Sequence, residues 1–259
     1  VEVVEFSMNS PSLRVIGVFM LWFGWYSFNA SSAFSYTGGD SSLNVPHSCL
    51  TTTMSAAACG LTSLFVCRWR NKGHKGEQFD LDYTINGILG GLVSITAGCT
   101  VVESWAAVVI GFIGAFVWMG CKYIVLQYKI DDVVDAVAIH AGCGVWGLLA
   151  AALFASESLT IEAYGVENVS GIFYGGNGKL LGACLLGCIC IIAFTFCATY
   201  PLFILLDSMD WLRISKSDEV SDLLDFRSHG LIDTNTSEGA AFHGRPLDPS
   251  VVQQWANKQ

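Results

Sequence analysis

Long uncharged apolar runs alternate with short polar stretches along this chain. Six runs lie near residues 13–35, 49–68, 83–101, 104–127, 134–155 and 179–206. Each is long enough to cross about 30 Å of hydrocarbon at about 1.5 Å per residue. They are predicted to be helices, because backbone groups facing lipid must be satisfied within their own segment. The third run, "NGILGGLVSITAGC", is the least apolar, with many small or polar residues. It is expected to lie among the other helices rather than against lipid. The pattern predicts an all-α polytopic membrane protein with six transmembrane helices.

Composition agrees. Of 259 residues, 53% are hydrophobic and 14% charged, with a mean hydropathy of +0.51. A soluble domain carries roughly 25% charged residues. The net charge of −9 comes largely from the polar stretches and the last part of the chain, and nothing is basic enough for nucleic acid.

Lys and Arg give the orientation. Arg14 stands at the start of the first run. Arg68, Arg70, Lys72 and Lys75 follow the second, and Lys122 and Lys129 lie between the fourth and fifth. Arg213, Lys216, Arg227, Arg245 and Lys258 follow the sixth. With six crossings these twelve fall on one side, and only Lys179 falls on the other, near Glu157, Glu162 and Glu167. The twelve-charge side is read as cytoplasmic. Residues 1–206 then form a membrane domain and 207–259 a cytoplasmic tail. On the opposite face, Asn168-Val-Ser170 has the pattern of a glycan acceptor. The chain opens "VEVVEFSMNS", with no initiator Met or signal-like segment, and is expected to be a piece of a longer protein.

Ten cysteines invite a metal or disulfide framework, but their spacing does not support one. Cys59, Cys99, Cys143, Cys184, Cys188, Cys190 and Cys197 lie in or at the ends of apolar runs, where Cys acts as a small hydrophobe. No His stands beside "CLLGCIC", so no metal or cofactor is expected. Gly87 and Gly91 form a GxxxG, and Gly111, Gly114, Gly142, Gly144 and Gly147 extend the theme of close helix approach.

Candidate chemistry sits in two runs. In the first, Trp25, Phe28 and Ser32 fall at i, i+3 and i+7 on one helical face, flanked by Asn29. Two aromatics and a hydroxyl can attract a cation. An aromatic interfacial belt with a packing serine fits the same spacing. In the fifth run, His140 is an ionisable residue inside an apolar segment, which is a functional-site hypothesis by default. A structural histidine bonded to a neighbouring carbonyl is the other reading. Val133, Ala136 and Val137 lie below it on its helical face and Cys143, Gly144 and Gly147 above, so it lies along a narrow uncharged lane. Asp135 is about 140° away round an α-helix and is not its i, i+4 partner. Asp131, Asp132 and Asp135 cluster at the helix start, where carboxylates suit caps and the dipole.

At the level of motifs the chain resembles the Amt/Mep/Rh ammonium transporter family, most closely its plant-type Amt branch. The stretch "LWFGWYSFNASSAF" is similar to FGWFGFNxGS. "NGILGGLVSITAGCTVVESWAAVVIG" is similar to NGxLGGxVxITAGCxxVxPWAA, and "DDVVDAVAIHAGCGVWGLL" to DDPxDAxxxHGxCGxWG. "GGNGKLLGA" matches GGGGKLLGA, and "LRISKSDEVSDLLDFRSHG" is similar to the family's cytoplasmic tail. The matches run in order to about Gly230.

The resemblance implies an eleven-span fold of two inverted repeats and a last helix, of which this chain would be spans six to eleven with the tail. It implies pore roles for five residues. Phe28 corresponds to the gating phenylalanine, Ser32 to the serine of external ammonium recruitment and Trp25 to a pore-side tryptophan. His140 corresponds to the second of two paired pore histidines, and Asp135 to the aspartate five residues ahead. It implies ammonium or ammonia as substrate, a homotrimer in the lipid bilayer of the plasma membrane, a part in nitrogen uptake, and no enzymatic activity. The chain departs from the family pattern at Val133, Ala141, Ser104, Leu223 and Arg227, and the last means that a threonine phospho-switch does not carry over. An ammonium sensor on the same scaffold, a Rh-type gas channel and a membrane redox enzyme using His and Cys are the rival functions. The FGW…FN and LRIS motifs argue against the second. The third needs paired histidines on facing helices, and only His140 is mid-span.

Overall fold

Each of the six apolar runs carries a helix in the computed structural model of the chain, which describes residues 10–31, 44–70 and 79–213. In chain order these are α1 (Pro11–Ser31), α2 (Asn44–Arg70), α3 (Leu81–Thr96) and α4 (Ser104–Gln127). A π-helical turn (Val137–Gly142) then runs directly into α5 (Cys143–Phe154). A short α6 (Glu157–Tyr164), a 3-10 turn (Ile172–Tyr174) and α7 (Lys179–Ser208) follow. Among the described residues no named strand occurs, only one isolated bridge between Val102 and Ala155. Four helical stretches are long and apolar enough to cross a membrane: α2, α4, the π-turn with α5, and α7. At 16 residues α3 is the shortest of the helices on the six apolar runs, apart from α5 without its π-turn.

The chain divides into two units. One is residues 11–193; the other combines the first ten residues with 194–259. In the second unit the described part is Ser10 and the C-terminal half of α7 with its end. There Phe196 and Tyr200 stack with ring centroids 5.0 Å apart, and Asp210 turns the chain at φ 54°. Ser32 and almost all of the 207–259 tail lie outside the described residues.

In the first unit α3 is the packing centre, as its composition predicts. Nine of its residues are buried, from Ile85 to Ile95. Small residues make this possible. The Ser55 carbonyl of α2 lies where a Cβ on Gly111 of α4 would stand, and only 2.6 Å from where one on Gly91 of α3 would stand. Ser55 Oγ donates to the Gly91 carbonyl at 2.8 Å. Three helices therefore meet around one backbone oxygen, an approach no larger side chain permits. Gly111→Val is expected to destabilise the membrane domain by about 1–3 kcal/mol through overpacking. Thermal unfolding in mild detergent checks this. An unchanged midpoint would place α4 further from α2.

Two apolar cores flank this contact. Ile95, Val102, Ala106, Ile110 and Phe154 belong to one; Cys59, Trp118, Ile139 and Cys143 belong to the other. Cys59, Cys99 and Cys143 are buried and free, in keeping with their reading as small hydrophobes.

Polar groups gather at the two ends of the unit. At one end Arg14 pairs with Asp82, Arg68 lies 4.9 Å over the Phe79 ring, and Lys122 pairs with Asp135. At the other, His47 Nε2 meets the Val102 carbonyl at 2.8 Å, Asn44 Nδ2 donates to the Glu162 carbonyl, and Thr100 bonds Tyr164. Arg14, Arg68 and Lys122 thus share one end of the unit, and the segments around 44–47, 100–103 and 155–164 the other.

Candidate functional site

Two aromatic residues of α1 and the histidine of the π-turn face one cleft of about 570 Å³. Its wall comes from α1 (Met20, Leu21, Gly24, Trp25, Phe28), α3 with its end (Val93, Thr96, Ala97), the π-turn and α5 (His140, Gly144, Leu148), and Ile191 of α7. The structure therefore brings together three residues that the sequence singles out separately: Trp25, Phe28 and His140.

Helical spacing places the aromatic pair. Trp25 and Phe28 are three residues apart, with ring centroids at 5.9 Å and planes inclined by 60°. The flank of this face is fixed to α2: Asn29 is fully buried and its Nδ2 donates to Thr52 Oγ1 at 2.8 Å, while Tyr26 bonds Thr53. Anchoring by Asn29 and Tyr26 turns the Trp25–Phe28 edge toward the cleft. Trp25 Nε1 donates to Thr96 Oγ1 at 2.9 Å, and Thr96 in turn donates to the Leu92 carbonyl. The indole N–H is thereby occupied, and Phe28 remains 59% exposed.

His140 stands out by contrast. It lies in the π-turn, is exposed, and makes no side-chain hydrogen bond among the described residues. The reading of a structural histidine tied to a carbonyl finds no support there. The lane above it differs in one respect from an α-helical projection. Gly144 and Leu148 share the cleft with His140, whereas Cys143 is buried in the core and Gly147 packs on α3 beside the Ser94 carbonyl. A π-turn closes i→i+5 bonds and is wider than an α-turn; of the residues expected over His140, Gly144 keeps its place and Leu148 takes that of Gly147. Such turns occur often at functional sites.

Asp135 is not among the cleft-lining residues. Its backbone sits at φ 55°, in the left-handed region that Asp tolerates better than most residues, just before the π-turn. Its Oδ2 accepts from Lys122 Nζ at 2.7 Å and from Asn86 Nδ2 at 2.7 Å. Lys122 also lies 5.8 Å over the Tyr83 ring. This knot ties α3 and α4 to the start of the π-turn. Beside it Asp132 caps the turn, its two carboxylate oxygens accepting from the Ala136 and Val137 N–H groups at 2.7 and 2.8 Å. Asp132 thus supplies capping of the kind expected of the aspartate cluster.

Thr96, Asn86 and Lys122 were not legible as site residues. The Trp25–Thr96 bond joins residues 71 apart, and spacing carries no sign of it. Asn86 left a trace, since an amide in a buried apolar helix needs a partner.

Long apolar helices around an apolar cleft, aromatic at one part of its wall and bearing an imidazole that makes no side-chain hydrogen bond among the described residues, are those of a polytopic membrane protein. The sequence model described as the Ammonium Transporter Family matches residues 2–233, and the chain belongs to that family. It is 40% identical over 230 residues to ammonium transporter 1 member 1 of Oryza sativa subsp. japonica, covering 86% of this chain and 45% of that protein. The crystal structure of Saccharomyces cerevisiae Mep2 superposes with a TM-score of 0.69 at 28% identity, over 79% of this chain and 46% of that one. A structure described as a sensor Amt protein gives a TM-score of 0.66 at 30% identity, over 81% and 47%. The chain spans a little under half the length of these relatives. The family is one of transporters and not of enzymes, which removes the redox reading.

Proposed function

We propose that the full-length protein carries ammonium or ammonia across a membrane, and that this chain supplies one wall of the path. The observation that carries the reading is the convergence of Trp25, Phe28 and His140 on a single apolar cleft. The aromatic faces recruit the cation at the outer mouth, and the family resemblance gives Ser32, four residues after Phe28 in sequence, the part of the hydroxyl partner. An ion stripped of water in an apolar lane is heavily penalised. Ammonium escapes the penalty by giving up a proton, which potassium does not have. The His140 imidazole takes that proton, or, where ammonium has already released it to water at the mouth, accepts a hydrogen bond from the passing ammonia. The cleft is open on the side of His140 and Phe28, and the missing length of the relatives supplies its other wall.

Six crossings with the Lys- and Arg-rich segments in the cytoplasm complete the reading, in the plasma membrane. A tag or protease site at 70–76 is expected to be reached only from the cytosol, and one at 160–170 only from outside. Reversed access at either place would undo the six-span arrangement. The exposed apolar faces of the helices suit a homotrimer, so crosslinking of the full-length protein should give threes; a transporting monomer would count against it.

The test of function is uptake of labelled methylammonium by cells lacking their own transporters. Saturable uptake that ammonium competes away is expected. A second reading is an ammonium sensor, favoured by the likeness to the sensor Amt structure. Ammonium binding without uptake would select it.

A further inference from the structure

We propose that Asn168 is an N-glycan acceptor, the one of the two described Asn-X-Ser/Thr triplets that the fold leaves open to modification. The triplets of the sequence are Asn29-Ala30-Ser31, Asn168-Val169-Ser170 and Asn235-Thr236-Ser237. Sequence pattern alone ranks them equally.

The structure separates the first two. Asn29 lies within α1, is fully buried, and commits its Nδ2 to Thr52 at 2.8 Å. The nitrogen that would bond to sugar is thus occupied and enclosed between helices. Asn168 is the opposite case. It lies in the irregular stretch between Gly165, which ends α6 at φ 67°, and Gly171. It is exposed, and its own φ of 60° makes the chain turn there. Its backbone N–H donates to Glu157 Oε1 at 3.0 Å, and the Gly171 N–H donates to the Ala155 carbonyl at 2.8 Å. The loop is held by its backbone, while the Asn168 side-chain amide makes no hydrogen bond among the described residues. Val169 and Ser170 are partly exposed, so the whole triplet is accessible. The third triplet lies outside the described residues, and its sequence position places it in the tail on the Lys- and Arg-rich side.

The chemistry needs no redox partner. The Asn168 carboxamide nitrogen bonds to the anomeric carbon of an oligosaccharide carried on a lipid diphosphate. The bond from that carbon to the diphosphate oxygen breaks, the lipid diphosphate leaves with the electron pair, and the amide gives up one proton. The Ser170 hydroxyl completes the recognised triplet.

The inference rests on the sidedness proposed above, which puts residues 156–178 away from the cytosol. The full-length protein, made in eukaryotic cells, is to be run on a denaturing gel before and after an N-glycosidase. A gain in mobility worth one glycan is expected for the unaltered protein, for Ser31→Ala and for Asn235→Gln. No gain is expected for Asn168→Gln or Ser170→Ala. No gain in the unaltered protein, or one that survives Asn168→Gln, would overturn the proposal. A flexible linker carrying Asn-Gly-Thr triplets, inserted after Gly165 in the Asn168→Gln protein, separates the two ideas. A glycosylated linker beside a bare native site would leave the sidedness standing and sink the acceptor. A bare linker there, glycosylated instead when moved to 71–76, would overturn the sidedness itself.

Discussion

His140→Ala in the full-length protein is expected to lower methylammonium uptake at least tenfold, which corresponds to about 1.4 kcal/mol or more in the barrier. Thermal stability and assembly should be unchanged. The imidazole is exposed in the cleft and makes no hydrogen bond among the described residues, so its removal breaks no contact that holds the helices. It does remove the polar group best placed for a guest, because the neighbouring Trp25 N–H is already bound to Thr96. A neutral alanine offers neither acceptor nor proton carrier. Uptake and the unfolding midpoint are to be measured on the same preparation. Undiminished, selective uptake would show that the imidazole has no part in transport. A large fall in the midpoint would show that it is structural.

The opposite signature is expected at Asp135. Asp135→Ala removes an acceptor that holds both Lys122 and Asn86 and leaves the ammonium group of Lys122 without its partner. Breaking a mostly buried pair from one side costs about 3 kcal/mol. Alanine also suits the left-handed backbone at φ 55° less well than aspartate. A clear fall in the unfolding midpoint should therefore accompany lost uptake. Lys122→Met together with Asp135→Asn should be milder than Asp135→Ala alone, since no charge is left unpaired and asparagine still accepts from Asn86. Lost uptake at an unchanged midpoint would instead give Asp135 a direct place in the conduction path, the role that resemblance suggests for it.

The apolar pattern determined the helices. The run at 104–127 coincides with α4, and that at 179–206 with α7 to within two residues. The burial of α3 was legible too, because small and polar residues are poor partners for lipid and good ones for close helices. These features are local: periodicity and composition report how each segment divides between lipid, core and water. The short α6 left only weak signs, an acidic first turn at Glu157 and Gly165 beyond its end, and eight residues hold too few apolar positions to show a period.

What only tertiary structure decided was which of these helices present their marked residues to one another. Trp25, Thr96 and His140 meet because α2, α3 and α4 close around the Ser55 carbonyl and because Asn29 fixes the rotation of α1. Asp135, five residues from His140, turns instead to Lys122 and Asn86 on other helices. Over the histidine, Gly144 lies where its helical spacing puts it and Leu148 joins it, while Cys143 turns into the core and Gly147 onto α3. A single helix's period fixes its faces, but the partner of each face, and any departure from α-geometry, come from contacts tens of residues apart that no local pattern encodes.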